Sequence, residues 1–286
     1  MGWIAYSLMM FFASVALYLC VRKSSLLKTP TYLTNLAMFA IPLVAYITIG
    51  IVSSSNLSIT LWQGLVLLVA AVVFAYGGNK ASLYAIDVAP NPGYSLVLSK
   101  SYVLFTTLVA VTLLGADITF QKVLAISIIV AFSALIMVNP KGAKKVKSEK
   151  WILLSFGAFF AWGMLSLSSK YLFNNGVDTI AFLIYLYALV TFCIIFFDKV
   201  RISRIKEASS HAKLLLLGVG IFSTLFNLGQ FEAIKLAPNV GYVNAINAAS
   251  ISMVTVFAVI LFKDELTLKK AVGVLGVTAG LILLLI

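Results

Sequence analysis

The sequence predicts an all-α membrane protein of ten transmembrane helices, arranged as two inverted five-helix repeats. Three observations carry that expectation: composition, an internal repeat, and the placement of lysine and arginine. Of the 286 residues, 62% are apolar and only 10% charged, with a mean hydropathy of +1.08. Soluble domains carry roughly 25% charged residues. The hexapeptide Ala89-Pro90-Asn91-Pro92-Gly93-Tyr94 returns as Ala237-Pro238-Asn239-Val240-Gly241-Tyr242, and a shift of 148 aligns the two halves without a gap. Trp3 falls on Trp151, Ser7 on Ser155, Asn79 on Asn227 and Thr119 on Thr267. Self-similarity at one fixed offset marks a duplication. The repeats span 1–138 and 151–286, joined by a basic linker at 139–150. Five spans per repeat is an odd number, so the second copy must cross the bilayer in the opposite sense.

Taken in order, spans are read at 3–21, 31–51, 61–83, 93–114, 120–138, 151–170, 179–197, 213–235, 241–262 and 268–286. Each is near the length of about 20 residues that a hydrocarbon core about 30 Å thick requires. The first lacks a preceding basic residue and a small-residue cleavage site, so it reads as a span and not a cleaved leader. Pro30 precedes the second span, and Pro42 inside it predicts a kink. Pro90 and Pro92 separate the third from the fourth, Pro140 follows the fifth, and Pro238 separates the eighth from the ninth. Connections after odd-numbered spans hold seventeen lysines and arginines, whereas those after even-numbered spans hold only Lys122, Lys170 and Lys235. Cytoplasmic loops are enriched in these residues. The odd connections are therefore expected in the cytoplasm and both termini outside, in a multi-pass protein of the cell (inner) membrane. The net charge of +12 is thus a topology signal and does not point to nucleic acid.

Catalysis and cofactors find no support. Cys20 and Cys193 lie inside apolar segments, which argues against a disulfide or metal site. His211 stands alone in a polar stretch, and most acidic residues (Asp87, Asp117, Asp178, Asp264, Glu265) fall at span ends as solvated turn residues. An enzyme would need these groups clustered. Gly273, Gly276 and Gly280 form a small-residue stripe, read as close packing against a neighbouring helix, with a homodimer interface as the alternative.

The functional candidates are polar residues within spans. Lys100 lies about 10 Å into the fourth span at 1.5 Å per residue. A cation at that depth costs roughly 2.5–3.5 kcal/mol on insertion scales; snorkelling to the interface is the alternative. Ser99 shares its face, and the matching positions of the ninth span are Asn244 and Asn247. Those amides line a wet cavity or join helices by hydrogen bonds. Tyr76 and Asn79 match Thr224 and Asn227, with Gln230 on the same stripe; Ser155 and Trp162 mark a polar face of the sixth span. Together these propose a cavity walled by spans 1, 3, 4, 6, 8 and 9, with 2, 5, 7 and 10 as outer scaffold. Lys100 would take an anionic group, the amides would orient the rest, and Trp162, Tyr76 and Tyr84 would form aromatic walls. Glu232 reads as an interfacial partner of Lys235 or as a proton-coupling group.

Leu261-Phe262-Lys263-Asp264-Glu265-Leu266-Thr267, its looser copy Leu113-Leu114-Gly115-Ala116-Asp117-Ile118-Thr119, and the Trp162-Gly163 step resemble motifs of the drug/metabolite transporter superfamily. The chain is similar to its ten-span EamA-type members, although Ser14-Val15 departs from the Trp-Gly step in the first repeat. The resemblance implies alternating-access transport of a small polar metabolite, an amino acid or related carboxylate, in the export direction. Its substrate and the lipid bilayer are then its partners. A multidrug or organic-cation exporter is the alternative, but the glutamate that small multidrug relatives carry in their first helix is absent here. A channel or scaffold is the remaining one.

Overall fold

A computed structural model describes residues 2–89, 92–138, 150–198, 209–263 and 265–286. Lysines 141, 144, 145 and 147 of the linker, Lys199, Arg201, Arg204, Lys206, Pro90, Asn91, Pro140 and Asp264 lie outside the described residues, as does the side chain of Asp87. Among the described residues, ten helices are long and apolar enough to cross a membrane. They are α1 (Trp3–Leu26), α2 (Thr31–Val52), α3 (Leu61–Ile86), α4 (Tyr94–Leu114), α5 (Phe120–Met137), α6 (Lys150–Asn174), α7 (Thr179–Phe197), α8 (Ser210–Leu236), α9 (Val240–Phe262) and α10 (Leu268–Leu285). The expected fold class, all-helical and membrane-spanning, is borne out.

Polar residues in the connections start the helices. Thr60 and Gln63 form a reciprocal capping box at α3. Asp178 accepts from the Ile180 and Ala181 amides at α7, so it is a helix cap and not merely a solvated turn residue. Ser209 and Asn239 cap α8 and α9. Thr119 and Thr267, one repeat apart, cap α5 and α10 in the same way. Left-handed backbone recurs at the same offset: Lys28 (φ 55°) with Gly176 (φ 84°), and Gly115 (φ 63°) with Lys263 (φ 56°). The two halves therefore share their turns, although the lysine in each pair takes a left-handed conformation that costs a side-chain-bearing residue about 1–2 kcal/mol.

α2 runs through Pro42 without interruption. Two irregularities that the sequence reading did not expect fall elsewhere. In α3, Ala70–Gly77 winds as a π-helix before Gly78–Val88 returns to α geometry. α4 is two pieces, Pro92–Lys100 and Tyr102–Leu114, divided at Ser101. Wide turns and discontinuities of this kind gather at functional sites, and both flank the cavity described below.

The main helix pairings recur when the halves are exchanged. α1 lies along α8, and α6 along α3; α1 also meets α9, as α6 meets α4. α2 packs on α7, α4 on α9, and α5 on α10. The glycine stripe of α10 faces Ile136, Phe132 and Ile129 of α5, which is the close-packing reading. Outward, exposed residues such as Phe12, Val44, Leu108, Phe160, Phe196 and Leu275 present hydrocarbon, as a lipid-facing surface must.

Candidate functional site

A cavity of about 160 Å³ lies at the centre of the bundle, the scale of a site for one six-membered ring. Lys100, Asn79, Asn227, Gln230, Asn247 and Trp162 all line it, although they come from five different helices and lie up to 168 positions apart (247 − 79). The Lys100 ammonium sits 4.5 Å from the centroid of the Trp162 ring, a cation–π distance. Trp162 is itself held edge-on by Tyr102, centroids 6.2 Å apart. Gly78, at the end of the π segment, makes room for this ring. A Cβ there would stand 2.7 Å from the Ala161 Cβ and 3.4 Å from the indole Cδ1. Asn227 donates to the Ser223 carbonyl (2.8 Å) and hydroxyl (3.3 Å). With its N–H groups so engaged, its carbonyl oxygen remains the acceptor available to the cavity.

Other expected site residues serve elsewhere. Asn244 is fully buried among α4, α6 and α9: its amide donates to Thr106 Oγ1 (3.1 Å) and accepts from Ser166 Oγ (3.4 Å). It follows the interhelical bonding alternative. Ser99 is buried and donates to the Leu96 carbonyl. Ser155 hydrogen-bonds Ser95 Oγ (2.8 Å) and the Trp151 carbonyl (2.7 Å), joining α4 to α6. Tyr76 and Tyr84 line a second space instead of this one. Glu232 lies outside the cavity, half-buried, and among the described residues it forms no ion pair with Lys235.

Four helices contribute in ways the polar pattern does not reveal. α2 and α7, expected as scaffold, supply Met38, Phe39, Leu186 and Tyr187 to the wall. Tyr102 of α4 and Ser223 of α8 join them. These are apolar or weakly polar side chains, so no search for buried amides and charges selects them.

The second space, about 500 Å³, shares Phe39 and Asn79 with the central cavity and is bordered by Thr31, Tyr32, Tyr84 and Leu154. These residues lie towards the connections after α1, α3, α5 and α7, which define the odd face of the bundle. A Lys80–Asp198 ion pair of 2.6 Å stands in its wall, and Tyr76 donates to the same carboxylate at 3.0 Å. The vestibule therefore lies between the odd face and the cavity, with Phe39 and Asn79 at their common border. Towards the opposite, even face the equivalent space is filled. Phe173, Phe182 and Phe231 stack edge to face, with the Phe182–Phe231 centroids 4.9 Å apart. Tyr46 donates to the Thr224 carbonyl at 2.8 Å.

A family model, the EamA-like transporter family, matches residues 149–286, the second repeat. By that match the chain belongs to the EamA-like transporter family. It is a multi-pass membrane transporter of the drug/metabolite transporter superfamily, as the turn motifs implied. A solved structure described only as "Crystal structure of protein" aligns with a TM-score of 0.77. The alignment covers 98% of this transporter and 96% of that chain at 16% identity, which shows a shared fold. None of the curated proteins matches.

Proposed function

We propose that the transporter is a secondary carrier that exports a small carboxylate-bearing metabolite, an amino acid or a relative, by alternating access between inverted repeats. The observation that carries this reading is the Lys100 ammonium facing Trp162 in a cavity lined, among the described residues, by no carboxylate. A cation without a countercharge in a medium of low dielectric attracts an anion and repels a cation. A carboxylate entering beside Lys100 would replace the weaker cation–π contact with a charge-assisted hydrogen bond. The Asn227 carbonyl oxygen, across the same cavity, would accept from a donor on the substrate, as an ammonium or hydroxyl supplies.

The exchange-symmetric packing and the repeated left-handed turns support inverted halves. With the lysine-rich odd connections in the cytoplasm, the vestibule opens inward, where an exporter collects its cargo. Both termini are then outside.

Thermal unfolding of the purified transporter tests the reading, because a ligand of the folded state raises its melting temperature. Alanine, threonine, glutamate, a sugar phosphate and tetraethylammonium serve as probes. A carboxylate should stabilise the wild type, and Lys100→Met should abolish that shift. Stabilisation by tetraethylammonium, or a full carboxylate shift in Lys100→Met, would overturn the assignment.

A further inference from the structure

The shut even mouth is braced by a lysine that the substrate cavity does not use. Lys170 follows Ser166 by about one turn on α6, on the even side of the cavity. Its ammonium donates to the carbonyl oxygens of Lys235 and Ala237, each at 2.9 Å. Those oxygens belong to the last residues of α8 and its C-cap. Terminal carbonyls of a helix lack intrahelical partners, and a cation there also meets the negative end of the helix dipole. Among the described residues no carboxylate pairs with Lys170, so these backbone acceptors are its anchorage. They hold the even half of α6 to the end of α8, around Phe173 and Phe231.

We infer that Lys170 is a positioning residue that holds the transporter closed to the even face, by latching α6 to the end of α8. This rests on the alternating-access reading above. Opening the mouth separates these helix ends, and the ammonium must then exchange two main-chain acceptors for water. Only a difference in interaction between two states can shift their populations, and this contact supplies one. Because both acceptors are main-chain atoms, the latch depends on the side chain of residue 170 and not on that of residue 235. Arg22, one repeat earlier, holds the same register on α1, with its guanidinium 5.3 Å over the Phe262 ring. An exchange of the two halves would bring it to the end of α3.

The test uses nanodiscs, so both faces are reachable, in a Cys20→Ser, Cys193→Ala background. Asn35→Cys reports the odd mouth and Leu183→Cys, its repeat mate, the even mouth, each labelled by a membrane-impermeant maleimide. Lys170→Met should speed labelling at 183 about ten- to a hundredfold, the scale of a lost charge-assisted hydrogen bond, and slow it at 35. Lys170→Arg should restore the wild-type pattern, and Lys235→Ala should leave it unchanged. Phe231→Ala, which removes part of the plug without touching the latch, provides the separating arm. If Phe231→Ala shifts the two reporters in opposite directions and Lys170→Met leaves both within twofold, the latch is wrong and alternating access stands. If neither variant moves them oppositely, both readings fall. Faster labelling at both sites in Lys170→Met, a loosened fold, also overturns the latch.

Discussion

At the odd face Thr31, Tyr32, Asn35 and Leu83 border an open vestibule. The residues 148 positions later, Thr179, Ile180, Leu183 and Phe231, are buried at the even face. Leu83 is 45% exposed and Phe231 2%. The same repeat positions thus build an open mouth in one half and a packed one in the other. Residue identity explains the direction of the difference. Asn35 is matched by Leu183, Lys80 by Leu228 and Ala81 by Gly229. Apolar side chains in the second copy gain from excluding water, about 25 cal/mol per Å² buried; Asn35 and Lys80 would lose hydration on closure. Gly229 lets α1 and α8 touch along their backbones, since a Cβ would stand 2.9 Å from the Met10 nitrogen and the Tyr6 oxygen. A duplicated scaffold can therefore favour one mouth through a few substitutions, without any change of fold.

Removing the packing on the shut side should have the largest effect. Phe231→Ala is expected to lower stability by about 3–5 kcal/mol, the cost of deleting a buried phenylalanine ring. Leu83→Ala, its mate in the open mouth, should cost no more than about 0.5 kcal/mol. Chemical denaturation in matched detergent compares the pair, and equal losses would erase the asymmetry. Adding bulk gives a smaller effect. Gly229→Val should cost about 1–3 kcal/mol through overpacking against the α1 backbone, whereas Ala81→Val should be near neutral in the same assay. Smallest of all should be the Lys80–Asp198 pair. Lys80 is half-exposed, and such pairs contribute about 0–1 kcal/mol and weaken with salt. Lys80→Met should therefore shift the melting temperature slightly at low ionic strength and negligibly at high.

The ten helices were legible because membrane spans obey a simple rule of length and apolarity, and proline and threonine mark their ends. The central site was half legible. Lys100, Asn79, Asn227, Gln230 and Asn247 could be picked out because a buried charge or amide is costly without a reason. Asn244 shared the same helix as Asn247 at a spacing of three, yet a step of about 300° turns it some 60° aside, into Thr106 and Ser166. Tyr187 and Phe39 were invisible for the opposite reason: an aromatic ring facing a cavity reads like one facing a core. The break at Ser101 carries neither proline nor glycine beside it. The Asp198–Lys80 pair joins residues 118 positions apart (198 − 80), and only the packing of α3 on α7 reveals it. Lys170 enters the sequence reading only as one of three basic residues after even-numbered spans, because main-chain carbonyl partners leave no side-chain signal.

Alternating access through a shared cavity requires the two halves to face opposite ways, and the most direct measurement compares one exposed pair of repeat mates. Leu27 follows α1 and Asn175 follows α6. Single cysteines at these positions, probed in oriented vesicles with an impermeant thiol reagent, should label from opposite faces, Leu27→Cys from the cytoplasm and Asn175→Cys from outside. Labelling of both from one face would contradict the inversion, and with it the common cavity between mirrored mouths.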